Sequence, residues 1–164
     1  EGKVVSLHVD TVELPDGTTS IREVVEHVDG VAVLPLDEEN NVLTVTQYRY
    51  VFAKPTLELP AGKLDPGEDP RTGALRELKE ETGAEPESLE SLGSIVLSLG
   101  CFGETLHLFL ARGLKMGQQH LDEGEFLNVE RIPFEELYRR VCSGEVDDAK
   151  TVTAVLKTKL LLNL

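Results

Sequence analysis

Apolar and polar residues alternate with a period of two over residues 3–14 and again over residues 18–28, which predicts two β-strands. The Pro-Asp-Gly sequence at 15–17 is typical of a tight turn, so the two segments are expected to form a hairpin. Residues 31–36 and 42–50 are richer in aliphatic and β-branched side chains. This composition indicates two buried strands, which we expect to pair antiparallel.

One segment in the middle of the chain has helical periodicity. Apolar residues recur at helical spacing over 71–82, Pro70 suits a helix start, and Gly83 suits a helix end. The preceding stretch, 60–70, is rich in Gly, Pro and carboxylates and is predicted to be a loop. Further patterns predict strands at 57–59, 89–97, 104–111 and 126–131, and helices at 133–142 and 149–162. This order predicts a mixed α+β domain rather than a regular βαβ alternation.

Composition and charge narrow the class of protein. A chain of 164 residues suits one domain, and 40% hydrophobic residues suffice for a core. The net charge of −14 disfavours long nucleic acid and anionic membranes as partners. No apolar run reaches the ~18 residues of a membrane span, and the first residues do not resemble a signal peptide. We therefore expect a cytoplasmic protein.

Three carboxylates crowd one edge of the predicted helix. At 3.6 residues per turn, Glu77, Glu80 and Glu81 fall within an arc of about 100° that borders the apolar face. Like charges at these spacings destabilise a helix by ~0.2–0.5 kcal/mol per pair. Arg76 can offset part of this cost, and clustered oxygen ligands are what Mg²⁺ or Mn²⁺ prefers. The pattern therefore favours a divalent-cation site.

A longer motif surrounds these carboxylates. It consists of Gly62, Glu68, Arg76, Glu77, Leu78, Glu80, Glu81, Gly83 and Ala84 at fixed intervals. This set resembles the complete Nudix box, the loop–helix–loop signature of Nudix hydrolases. Residues 47–50, 57–62, 104–111 and 148–151 are in addition similar to the ADP-ribose pyrophosphatase branch of that family.

The resemblance implies a fold, an activity and an assembly. It implies a Nudix-type mixed sheet sandwiched by helices over 31–164, with an N-terminal hairpin extension over 1–30. The expected reaction is hydrolysis of the diphosphate bond of ADP-ribose, which gives AMP and ribose 5-phosphate, or of the same bond in a related nucleoside diphosphate sugar. The expected cofactor is Mg²⁺ (or Mn²⁺), with two or three ions per site. The expected assembly is a homodimer in which the N-terminal strands, as a dimerisation or swap element, reach over the partner and help build its site.

The resemblance also implies a set of site residues. The metal ligands it implies are the Ala61 carbonyl, Glu77, Glu80, Glu81 and Glu125. The catalytic residues it implies are Glu123, Glu80 and Arg76, with Glu68 in support of Arg76. Glu123 is the expected general base in the acidic stretch 121–125, although one residue of register decides between Glu123 and Glu125.

Two residues are expected to bind the substrate. Arg49 is the candidate for gripping the diphosphate, because a guanidinium fork matches phosphate oxygens. An ordinary strand-edge arginine is the competing interpretation of Arg49. Glu58 is the second predicted contact.

Leu99 departs from the branch pattern, which commonly has Pro at this position. Two alternatives to the ADP-ribose activity therefore stay open. One is hydrolysis of a sugar nucleotide or another small diphosphate, and the other is a nucleotide-sensing module without turnover.

Overall fold

The computed structural model describes residues 2–122 and 124–164. Its strands are β1 (Ser6–Glu13), β2 (Thr19–Glu26), β3 (Gly30–Leu36), β4 (Asn41–Arg49), β5 (Lys54–Glu58), β6 (Ala61–Lys63), β7 (Ala84–Val96), β8 (Thr105–Met116) and β9 (Leu127–Pro133). Its helices are α1 (Pro70–Thr82), α2 (Phe134–Ser143) and α3 (Ala149–Leu162). The predicted α+β class is confirmed. No helix among the described residues has the length and apolarity needed to cross a membrane.

Seven strands form one mixed sheet in the order β5-β4-β3-β8-β7, with β6 paired to β3 and β9 paired to β4. β3 pairs parallel with β8 along its whole length. The expected antiparallel pairing of β3 with β4 occurs only where Leu36 meets Val42. The prediction of an unbroken loop over 60–70 is wrong, because Ala61–Lys63 pairs with the free edge of β3 and satisfies its backbone groups.

The sheet separates two apolar layers. Val31 and Val33 of β3 pack with Ala74 and Leu78 of α1 on one face. The alternate β3 residues join the core on the other face, where α2 and α3 pack. The period of two along β3 therefore places α1, with its carboxylates, alone on one side of the sheet.

The buried face of α3 differs from the expected one. The helical spacing of Leu156, Leu160, Leu161 and Leu162 in the sequence predicts that they form a core stripe, yet Leu160 is 80% exposed. Residues Lys150, Thr151, Ala154, Val155 and Thr158 are buried instead. Their spacing also fits one helix face, and three of them, Lys150, Thr151 and Thr158, have polar side chains that the periodicity of apolar residues cannot detect.

The hairpin of β1 and β2 forms a separate two-stranded antiparallel sheet, as predicted. It is joined to the main body through Val25, whose N–H donates to Cys101 at 2.7 Å and whose carbonyl accepts from Gly103 at 2.9 Å. The His27 ring stacks on Phe102 beside these bonds. The rest of the hairpin projects away from the core and is largely exposed.

Candidate active site

Helix α1 has local signals at both ends that fix where it starts and stops. The Asp69 side chain accepts from the N–H groups of Arg71 and Thr72, and Pro70 occupies the first turn. Gly83 ends the helix at φ 73°, in the left-handed region that favours glycine. These signals set the rotation of the acidic edge relative to the sheet.

Arg76 ties the loop before α1 to the acidic edge of the helix. Its guanidinium donates to both carboxylate oxygens of Glu68, at 3.0 and 2.9 Å. It also donates to Glu77 at 2.8 Å, to Glu80 at 3.0 Å and to the carbonyl of Lys63 at 3.0 Å. The bonds from Arg76 lower the pKa of Glu68 to about 2. The loop is therefore held against the helix by one side chain that makes five hydrogen bonds.

Glu81 and Glu77 are the buried carboxylates of this helix. Glu81 is 3% exposed and accepts the Ala61 N–H at 2.9 Å. Burial raises the pKa of Glu81 to about 8, and the nearby charges of Glu77 and Glu125 add to the shift. Burial likewise raises the pKa of Glu77. The site therefore holds excess negative charge, which a cation would relieve.

A short backbone ladder places the acidic stretch after β8 beside α1. The N–H of Gly117 donates to the Gly83 carbonyl at 2.7 Å, and the N–H of His120 donates to the Glu80 carbonyl at 2.9 Å. The Gln119 side-chain amide donates to the Glu81 carbonyl at 2.6 Å. Because 117–120 is bound to the end of the helix, the residues that follow are carried toward the carboxylates.

These elements enclose a cavity of about 570 Å³. The predicted site residues that line it are Arg49, Ala61, Arg76, Glu77, Glu81 and Glu125. Glu80 lies outside the lining, bonded to Arg76. Glu58 is buried and also does not line the cavity. Each of its two carboxylate oxygens accepts a hydrogen bond from the Arg49 guanidinium at 2.6 Å. Glu123 lies outside the described residues.

The carboxylate oxygens of Glu77, Glu81 and Glu125 are the type of ligand that a hard divalent cation prefers. Within the described ranges, no group of three His, Cys, Asp or Glu side chains forms a ready-made metal site. Glu77 and Glu80 are held by Arg76, and Glu81 is held by the Ala61 N–H.

Several cavity residues were not predicted from the sequence. Those with ionisable side chains are His27, Lys63, Asp65, Glu104, Asp122, Asp148 and Lys150. Lys150 and Asp148 belong to the 148–151 segment that supported the resemblance, and that segment was the available signal for them. His27 has no metal-ligand spacing in the sequence, which favours a surface or packed imidazole, and only the path of the chain after β2 reveals that it lines the cavity.

A mixed sheet between helical layers, with a cavity lined by carboxylates and guanidinium groups, defines an α+β domain suited to a charged small molecule. Residues 26–155 match the NUDIX domain. The chain therefore belongs to the NUDIX domain family.

Two curated relatives are similar over most of their length. The methanol dehydrogenase activator of Bacillus methanolicus is 47% identical over 156 residues, which cover 94% of this chain and 84% of that protein. The ADP-ribose pyrophosphatase of Bacillus subtilis (strain 168) is 42% identical with the same coverage. A solved ADP compounds hydrolase matches the fold with a TM-score of 0.87 at 21% identity, covering 99% of this chain and 89% of that one.

Proposed function

We propose that this protein is a divalent-metal-dependent hydrolase of the diphosphate bond of ADP-ribose, with AMP and ribose 5-phosphate as products, or of the same bond in a related nucleoside diphosphate sugar. The observation that carries the proposal is that Glu77, Glu81 and Arg49 line one cavity. Both kinds of group line the same cavity: the carboxylates suit cations, and the guanidinium suits phosphate oxygens. The relatedness to an ADP-ribose pyrophosphatase supports this substrate class.

We assign the metal site to the Ala61 carbonyl and to Glu77, Glu80, Glu81 and Glu125, with two or three Mg²⁺ or Mn²⁺ ions. A divalent cation bound there would polarise the phosphoryl oxygens and lower the pKa of a bound water. The protein's part is to hold the ligands in place. Arg76 fixes Glu77 and Glu80 through hydrogen bonds, and the Ala61 N–H fixes Glu81.

The general base is assigned to the acidic stretch that the 117–120 ladder carries to the cavity. Glu123 is our candidate, and Glu125, which lines the cavity, is the alternative. If Glu123 is the base, Glu123→Gln should bind metal normally and turn over slowly, as measured by calorimetry and steady-state kinetics. Unchanged turnover in that variant would move the role to another residue.

The substrate assignment is tested with a phosphate-release panel. Purified protein is incubated with Mg²⁺ or Mn²⁺ and ADP-ribose, sugar nucleotides or dinucleoside polyphosphates, and a phosphatase releases phosphate from the products. We expect the highest kcat/KM on ADP-ribose. Turnover restricted to sugar nucleotides would overturn the substrate assignment, and binding without turnover of any compound would overturn the enzymatic one. Leu99 is not among the residues that line the cavity.

We further propose that the protein is a homodimer in which the hairpin of one subunit covers the partner. Leu7, Val9 and Ile21 lie on one face of the hairpin and are 62%, 61% and 64% exposed. A second exposed apolar patch, Tyr50–Phe52, lies at the end of β4 just after Arg49. Two exposed apolar surfaces on one chain favour a second copy as the occupant. The cytoplasmic location stays a prediction.

A further inference from the structure

The cavity wall that holds Arg49 rests on the first turn of α3. Asp148 caps this helix by accepting the Thr151 N–H at 3.1 Å and the Thr151 hydroxyl at 2.6 Å. The same hydroxyl oxygen accepts the Leu59 N–H at 2.9 Å. The helix start is therefore bonded directly to the segment that follows β5 and leads into β6.

The Glu58 carboxylate, at the end of β5, has no acceptor position left for a ligand. Its Oε1 accepts from Arg49 Nε and from the Thr56 hydroxyl, each at 2.6 Å. Its Oε2 accepts from Arg49 Nη2 at 2.6 Å and from Lys150 Nζ at 2.5 Å. A carboxylate offers about four lone-pair sites, and all four are used. Because Glu58 is also only 3% exposed, it can act on a ligand only through the cavity-lining groups bonded to it, Arg49 and Lys150.

Lys150 occupies a position that neither burial nor the helix favours. It is 9% exposed, and lysines are almost never this buried unless paired. It is also the second residue of α3, where the helix dipole disfavours a cation. Its ammonium group bonds Glu58 at 2.5 Å and Asp148 at 3.0 Å. Burial and the helix dipole both disfavour a lysine at position 150. The ion pairs with Glu58 and Asp148, rather than helix stability, therefore explain why a lysine is present at this position.

We propose that Lys150 is a positioning residue for diphosphate binding by Arg49. Lys150 fixes the Glu58 carboxylate, and Glu58 in turn orients the Arg49 guanidinium toward the cavity. A guanidinium held by two hydrogen bonds from Nε and Nη2 cannot rotate freely. The Nη1 group of Arg49 has no protein partner within 2–122 and 124–164, so it is available to phosphate oxygens. The inference rests on the proposed function, because that function assigns the diphosphate to Arg49.

The test combines Lys150→Met, Lys150→Arg, Arg49→Ala and the double variant Arg49→Ala/Lys150→Met. Lys157→Met is the matched control, since Lys157 lies on the same helix and donates to the Leu92 carbonyl away from the cavity. KM and kcat are measured on ADP-ribose, and the Kd of ADP is measured by calorimetry with Mg²⁺ present.

We expect Lys150→Met to raise KM and the Kd of ADP by about 10-fold with kcat changed less than about 3-fold, because it removes positioning of a binding group. Lys150→Arg should restore most of the affinity. On the Arg49→Ala background, Lys150→Met should cause no further loss, since the two residues act in series. Additive losses, or a Lys150→Met variant that behaves like Lys157→Met, would overturn the inference.

Thr56→Val keeps the inference testable if Lys150→Met does not fold. This variant removes one hydrogen bond to Glu58 and buries no unpaired charge. It should raise the Kd of ADP by about 3-fold, and wild-type affinity would count against the inference.

Failure of the proposed function gives a different result. A wild-type protein that does not hydrolyse ADP-ribose, but whose ADP affinity shows the coupling of Lys150 with Arg49, refutes that activity and leaves the positioning role intact.

Discussion

The Glu77 carboxylate lies directly against the α-carbon of Gly62, so close that a Cβ on residue 62 would overlap it. Only glycine permits this approach of the β6 backbone to the helix. We expect Gly62→Ala to displace Glu77 and lower kcat/KM on ADP-ribose by about 10-fold or more, with a cooperative melt retained. Gly100→Ala is the control, since a Cβ there meets no atom within 4 Å. Equal activities of the two variants would contradict this account of Gly62.

Glu81 provides a direct test of the metal site. Glu81→Gln keeps the shape of the side chain and removes its charge, so we expect turnover to fall by ~10²-fold or more while the fold is retained. Glu85→Gln is the matched control, because Glu85 is an exposed carboxylate paired with Lys79 at 3.0 Å. Steady-state kinetics and circular dichroism check both variants. Near-normal turnover of Glu81→Gln would remove Glu81 from the ligand set.

The raised pKa of Glu81 has a consequence for the metal-free protein. The folded pKa, about 8, lies above the ordinary value of 4.5, so the unfolded chain ionises this group first. The stability that the protonated carboxyl contributes is therefore lost as pH rises from about 4.5 through 8. In the presence of a chelator, the melting temperature of the wild type should fall relative to that of Glu81→Gln as pH rises from 5 to 8.5. Parallel curves for the two proteins would contradict the shift.

Local signals explain why the helix and its carboxylates could be predicted from the sequence. Asp69, Pro70 and Gly83 are themselves the cap, first-turn and end residues of α1, so its bounds needed no tertiary information. Carboxylates three and four residues apart then fall on one helix edge in any fold. The acidic edge was predictable for the same reason.

Long-range contacts explain what the sequence did not reveal. β3 and β8 pair in parallel although Val31 and His107 are far apart in sequence, and no local pattern records that register. Lys150 reads as an ordinary helix-surface lysine until Glu58, 92 residues earlier, is placed beside it. Sequence periodicity therefore does not predict pairings that form only when the sheet is assembled and α3 packs against it.

Glu58 should contribute to acid stability. Burial alone would raise its pKa, but the bonds from Arg49, Lys150 and Thr56 outweigh burial and hold the pKa at about 2, below the ordinary 4.5. The contribution of the ionised group is thus present above about pH 4.5 and is lost as pH falls toward 2, and its size is roughly 2–4 kcal/mol. The difference in unfolding free energy between wild type and Glu58→Gln should shrink between pH 6 and pH 3.

Urea titrations at each pH measure the difference. Glu90→Gln serves as the control, because Glu90 is exposed and its side chain has no hydrogen bond or ion pair in the described part of the chain. Its difference from wild type should stay near zero over the same range. A Glu58→Gln difference that does not change with pH would show that the network does not depress the pKa of Glu58.

The apolar face of the hairpin predicts how the subunits assemble. A two-stranded sheet with Leu7, Val9 and Ile21 exposed is marginal by itself in water and is stabilised when a partner covers that face. We therefore expect light scattering to give a dimer for the wild type, and a monomer for Ile21→Asp because the new charge would be buried at the interface. If the partner's hairpin completes the cavity, the monomer should also lose ADP-ribose turnover.

Asp10→Asn, on the opposite face of β1, is the matched control and should remain dimeric and active. A wild-type protein that is monomeric at micromolar concentrations, or an Ile21→Asp variant that stays dimeric, would refute the role of this face.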